Sequence, residues 1–176
     1  MALLNEDVND PANNYTLKLD KELKNGLSTK FYVKPTEGGL AMSRGHHVMK
    51  NISQEQIDYF LRNIETKNTD PYIKEIKILE RDETGFPTQY YTVSKIPMMT
   101  DRESIMSMKR FERDGKVCYI IKTIERDDIP RTDKRIRMEF FKGVEYTKME
   151  GGGLHGVEFI KFDLGGFFPI SVLNML

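Results

Sequence analysis

The chain has 176 residues, with Lys+Arg and Asp+Glu equal at 27 each, 39% hydrophobic and 10% aromatic. That length fits one domain, and the apolar content argues against global disorder. Zero net charge argues against nucleic-acid binding through a cationic surface, and no apolar run approaches the ~20 residues that span a bilayer. A single cysteine, Cys118, rules out an internal disulfide framework and a Cys-rich zinc site.

The first ten residues carry three acids, Glu6, Asp7 and Asp10, and no base. This matches neither a secretory signal nor a mitochondrial presequence, so the expected location is cytoplasmic. The alternative is mitochondrial and peripheral to a membrane. Residues 1–14 read as a polar arm and 15–176 as one domain. Tyr15 to Asn25 is expected as a short helix ending at Gly26, because Leu19 and Leu23 are four apart. Lys30–Lys34 reads as a strand stopped by Pro35 and Gly38-Gly39, with Leu40–Met49 returning as its hairpin partner. Ser53 followed by Gln56 forms a capping box, and Ile57, Phe60, Leu61 and Ile64 follow at helical spacing. A helix is therefore predicted over 54–65, with Ile52 and Ile57 as its staple.

After Asp70-Pro71 the period changes to that of strands. These are expected at 72–80, 89–95, 104–112, 117–124, 134–142, 144–149 and 154–162, separated by turn residues that include Asp114-Gly115, Gly143 and Gly151-Gly152-Gly153. Ile136, Met138 and Phe140 alternate with Arg135, Arg137 and Glu139, which predicts one buried and one charged face. The short regular spacing predicts antiparallel connections. Pro169 opens a final apolar segment, Ile170 to Leu176, expected as about two helical turns.

The inventory does not point to catalysis. His46 and His47 fall on opposite faces of a strand, so they cannot easily share a metal, and with His155 they read as surface or rim residues. Cys118 sits mid-strand with nothing nearby to activate it. Gly151–Gly153 lacks the Lys and Ser/Thr of a phosphate loop. No metal, cofactor or enzyme activity is expected. Arg131, Lys134, Arg135, Arg137 and Lys142 form a basic stretch that is either a solvated strand face or a contact for anionic lipid or an acidic partner. Met98, Met99, Met106, Met108, Met138 and Met149 lie in or beside the strands, as core packing or as the wall of a lipid cavity.

Three segments resemble the START, or StAR-related lipid-transfer, family. Lys95-Ile96-Pro97-Met98-Met99-Thr100-Asp101-Arg102-Glu103 is similar to its proline-containing loop leading to Arg-Asp, with Glu103 in place of Asp. Ile136-Arg137-Met138-Glu139 resembles a strand of the family. Asp163, Gly166, Pro169 and Asn174 match, in register, its lead-in to the C-terminal helix. Residues 117–130 resemble a further stretch more loosely. Two departures stand out. The chain has no Trp, Tyr72 being the nearest substitute, and it stops at Leu176 just after that helix begins.

The resemblance implies an α+β helix-grip fold: a curved antiparallel sheet wrapped around a helix, with an apolar cavity. It implies a non-catalytic domain that binds or transfers one lipid, a sterol or phospholipid. Arg102 is then the candidate headgroup contact with Glu103 as its ion partner; a purely fold-stabilising pair is the competing reading. Met106, Met108, Ile136, Met138, Phe140 and Phe159 are the expected cavity lining. The alternative implied function is a structural subunit of a larger membrane-associated complex with an unused or plugged cavity, a protein partner covering Ile170, Val172, Leu173 and Leu176. A cyclase or hydrolase on this fold would rest on analogy alone.

Overall fold

The computed structural model describes residues 6–23, 26–35, 41–96 and 99–165. After a 3₁₀ turn at Pro11–Asn13 come strands β1 (Thr16–Glu22), β2 (Leu27–Pro35) and β3 (Ala41–Met49). Helices α1 (Gln54–Arg62) and α2 (Ile64–Lys67) follow. The rest is strand: β4 (Ile73–Arg81), β5 (Pro87–Ser94), β6 (Arg102–Arg113), β7 (Lys116–Thr123), β8 (Ile136–Arg137), β9 (Glu139–Lys148) and β10 (Leu154–Asp163). They form one curved sheet in the order β1-β2-β3-β10-β9-β7-β6-β5-β4, with β8 added parallel to the start of β6. Every other pairing is antiparallel. The last strand thus inserts between β3 and β9 and joins the N-terminal hairpins to the rest.

The capping box at α1 is complete. The Gln56 N–H donates to Ser53 Oγ at 3.3 Å, and the Ser53 N–H donates to Gln56 Oε1 at 2.8 Å. The predicted helix stops three residues early, at Arg62, where Asn63 breaks it before the single turn of α2. Ile57 and Leu61 pack on the sheet, whereas Phe60 stays exposed. Asp114 and Gly115 both adopt positive φ, 52° and 72°, as a two-residue hairpin turn requires.

Residues 16–22 are a strand, not the expected helix. Gly26 at φ 80° and the bond from the Leu23 N–H to the Leu27 carbonyl fold the chain back, so that β1 pairs with β2 from Thr16↔Val33 to Glu22↔Ser28. Leu17 and Leu19 remain exposed, so a helix here would have had no apolar face to bury. Gly143 is not a turn either. It lies within β9, paired with Phe159 of β10 and Ile120 of β7. The break falls instead at Met138, between β8 and β9. Glu6 ties the polar arm to the sheet: it accepts from the Tyr15 hydroxyl at 2.9 Å and lies 3.8 Å from Lys34 Nζ. The C-terminal helix expected from Pro169, with Ile170, Val172, Leu173 and Leu176, lies outside the described residues, as do Pro97 and Met98.

Candidate functional site

Strand register assigns each side chain to a face. Residues Tyr90, Met106, Thr123 and Met108, Ile121, Lys142 run in cross-strand rows, as do Tyr119, Val144, Glu158, Gly45. α1 covers this face: Gln54 Nε2 donates to the Tyr119 hydroxyl at 2.7 Å, and Arg110 Nε donates to Asp58 Oδ1 at 3.0 Å. The Tyr119 hydroxyl also donates to Asp58. Burial and the Asp58 carboxylate together push that phenol far up, so Tyr119 is a fixed donor at any physiological pH.

The apolar core lies on the α1 face. Phe86, Tyr90, Met106, Met108, Tyr119, Ile121 and Val144 form its buried centre, with Met138, Phe140 and Tyr146 packed against it. Four of the six expected lining residues, Met106, Met108, Met138 and Phe140, therefore meet in one cluster. Phe159 does not join them. It is 1% exposed on the opposite face, beside Phe141, because β10 turns Glu158 rather than Phe159 toward α1. Ile136 stands apart near Gly165, where a Cβ would come within 2.9 Å of its side chain. A cleft of about 530 Å³ opens between α1 and the β5–β6 region and reaches Phe86 and Met108.

Arg102 is fully buried at the start of β6, and its guanidinium fastens backbone. It donates to the carbonyls of Leu164 (2.9 Å), Thr100 (2.5 Å) and Gly165 (3.2 Å). The Asp163 side chain holds the same turn by accepting from the Gly165 N–H at 2.8 Å. Two of the resembling motifs, around Arg102 and Asp163, thus meet in space and tie the exit of β10 to β6. The ion partner of Glu103 is Arg137, not Arg102: neighbours on a strand point to opposite faces. Arg137 Nη2 and Nε donate to Glu103 Oε1 at 3.0 and 3.2 Å, and the Tyr91 hydroxyl donates to Oε2 at 2.7 Å. Arg137 also reaches Glu125 and the Ile129 carbonyl. Its side chain is 3% exposed, which corrects the expectation of a charged, solvated face for Arg137.

The basic stretch accordingly does not form one patch. Arg131 pairs with Glu125, Arg135 donates to the Tyr91 hydroxyl, Arg137 is buried, and Lys142 faces α1. Cys118 is buried, and burial together with Glu145 pushes its thiol up, so it is a poor nucleophile.

A polar group the sequence did not single out occupies the α1 face of β3, β10 and β9. Glu158 lies 3.2 Å from His47 Nε2 through Oε1 and 2.6 Å from Lys142 Nζ through Oε2. The Thr29 hydroxyl and His47 Nδ1 are 2.8 Å apart. Burial pushes the Glu158 carboxyl up, but the His47 and Lys142 contacts outweigh it and hold the group down at about 2. His47 is thus half-buried and engaged by Glu158 and Thr29 rather than simply solvated. Its carboxylate partner, Glu158, comes from more than a hundred residues away, and no local spacing announces it.

A scan against protein-family models finds no match, and neither does a search of the curated proteins. Solved structures do match. The crystal structure of human STARD10 is 15% identical with a TM-score of 0.75, covering 99% of this chain and 69% of that one. Human StAR-related lipid transfer protein 5 is 15% identical at TM-score 0.65, covering 93% and 78%. A fragment of a STAR-related lipid transfer protein from Xanthomonas axonopodis is 16% identical at TM-score 0.71, covering 92% and 89%. At this identity the likeness establishes the fold: the chain has the START helix-grip architecture.

Proposed function

We propose that this chain is a non-catalytic domain that holds one lipid molecule against the α1 face of its sheet. The observation that carries the reading is the apolar cluster of Tyr90, Met106, Met108, Ile121 and Val144, which the cleft of about 530 Å³ approaches at Met108 and Phe86. A polar group stands at the edge of that cluster, as a headgroup requires. Apolar surface of this kind contributes about 25 cal/mol per Å² when an acyl chain or sterol covers it. Methionine side chains adapt to such a ligand more readily than branched ones. The names of the similar structures, lipid transfer proteins, support the same reading. The proposed location is the cytoplasm, with the periphery of a mitochondrial membrane as the alternative.

A structural role inside a larger, membrane-associated assembly is favoured by one observation. Asp58, Arg110, Gln54 and the Tyr119 hydroxyl form a polar group under α1, where an acyl chain would otherwise run. Native mass spectrometry of material isolated from its source without detergent separates the two. The lipid reading predicts a chain carrying an added mass of lipid size. A lipid-free chain found only within a larger complex, and binding no lipid from a panel, overturns it in favour of the structural role.

A further inference from the structure

We propose that Ser43, Lys142, Glu158 and His47 form the receptor for the polar end of a neutral, hydroxyl-bearing lipid; this deepens, and rests on, the lipid-holding reading above. The four residues lie on the α1 face of three adjacent strands. Gly45 pairs with Glu158 and Glu158 with Val144, while Ser43 pairs with Ile160 and Ile160 with Lys142. Ser43 and His47 therefore flank Gly45 on β3, directly beside the acid.

The site is built rather than incidental. A Cβ on Gly45 would stand 2.6 Å from His47 Nε2 and 2.7 Å from Glu158 Cγ, so only glycine lets the pair close over β3. On Gly156 a Cβ would stand 2.9 Å from the Tyr146 ring, which borders the same group. Within the group both Glu158 oxygens and both His47 nitrogens have partners. Two kinds of hydrogen-bonding capacity are left over. Lys142 carries three N–H donors and gives one to Glu158. The Ser43 hydroxyl is buried, in a residue 3% exposed, and has no hydrogen-bond partner among the described residues. A buried, unpaired hydroxyl is rare enough to require an explanation, and a missing ligand group supplies one.

Charge chooses the ligand. Lys142 and Glu158 carry opposite charges 2.6 Å apart and cancel one another. A phosphate or sulfate would bring negative charge against the Glu158 carboxylate, whose Lys142 partner is already engaged. A lipid hydroxyl fits instead: its oxygen accepts from Lys142 and its hydrogen goes to Ser43 Oγ. From there the body of the lipid continues onto Val144, the cross-strand neighbour of Glu158, and so onto the Met106–Met108 cluster.

The test uses the full chain at about pH 8 and two matched pairs of probes read by native mass spectrometry. These are dioleoylglycerol against dioleoylphosphatidic acid, and cholesterol against cholesteryl sulfate. The expected result is that one neutral probe binds at least about tenfold more tightly than its charged twin. Glu158→Gln, which leaves the Lys142 charge uncompensated, is expected to narrow or reverse that ratio. Ser43→Ala is expected to weaken the neutral probe severalfold without lowering the melting temperature. Equal binding within both pairs, or preference for the charged members, overturns the receptor and leaves lipid holding intact. Binding of no probe overturns both. Should Glu158→Gln fail to fold, the wild-type ratio and Ser43→Ala decide, and unchanged affinity in Ser43→Ala overturns the proposal.

Discussion

Glu103 with Arg137 on one face of the sheet, and Glu158 with His47 and Lys142 on the other, use the same chemistry in different states of completion. Around Glu103 the ledger of donors and acceptors closes: Arg137, Tyr91, Arg135, Glu125 and the Ile129 carbonyl occupy one another. Around Glu158 it does not close, because Lys142 keeps donors and Ser43 keeps a buried hydroxyl without a partner among the described residues. A closed network fastens a loop. An open one, beside an apolar cluster, is poised for a ligand.

The largest effect should come from opening the closed network. Arg137→Met strands the Glu103 carboxylate in a buried site and is expected to cost about 3–5 kcal/mol in urea unfolding. Adding Glu103→Gln should restore much of that loss, and the pair of variants should leave lipid selectivity where it was. A cost well under about 1 kcal/mol for Arg137→Met would erase the distinction between the clusters.

Next comes pH. The Glu158 carboxyl titrates at about 2 in the folded chain against an ordinary value of 4.5. A depressed folded value means the unfolded chain binds the proton first. The stabilisation is thus complete above about pH 5 and is lost as pH falls toward about 2, amounting to about 3 kcal/mol. Unfolding free energies across that window should fall more steeply in the wild type than in Glu158→Gln. Parallel slopes would mean that the His47 and Lys142 contacts do not favour the carboxylate.

Ser53→Ala removes one half of the capping box and should cost about 1 kcal/mol. It loosens α1 over Met108 while touching neither cluster, so the pH profile should keep its shape.

The smallest effect sharpens the contrast most finely. Ser104 and Ser43 are both buried, but Ser104 Oγ donates to the Met138 carbonyl at 3.4 Å and Ser43 Oγ has no partner among the described residues. In ligand-free protein Ser104→Ala should cost about 1 kcal/mol, whereas Ser43→Ala should be neutral or slightly stabilising. Chemical denaturation of both variants checks the sign.

How much of this could be read in advance follows the range of the interactions. The Ser53–Gln56 cap and the Asp114-Gly115 turn are local patterns, and both formed where their spacing placed them. Most of the β4–β7 strands follow from residue type and bounding turns, and the antiparallel connections from their short regular spacing. β1 was misread because Leu19 and Leu23 mimic a helical repeat while Gly26 returns the chain onto β2. Gly143 has the composition of a turn, but its place inside β9 depends on pairing with β10, a strand that comes later in the chain. Alternation groups Met106, Met108, Met138 and Phe140, whereas Phe159 falls on the face opposite that cluster, since a shift of one residue reverses every assignment on a strand. The polar group was hidden for the same reason. His47, Lys142 and Glu158 converge only after β10 inserts between β3 and β9, and nothing in the spacing of those residues announces that insertion.

The most direct test of the account is methyl NMR of methionine-labelled protein titrated with dioleoylglycerol. Met106, Met108 and Met138 belong to the α1-face cluster, whereas the register of β3 turns Met42 to the opposite face. The account predicts that the signals of Met106, Met108 and Met138 shift together and saturate at one lipid per chain while Met42 stays in place. Shifts confined to Met42, or no shift in the three cluster residues at lipid excess, would contradict it.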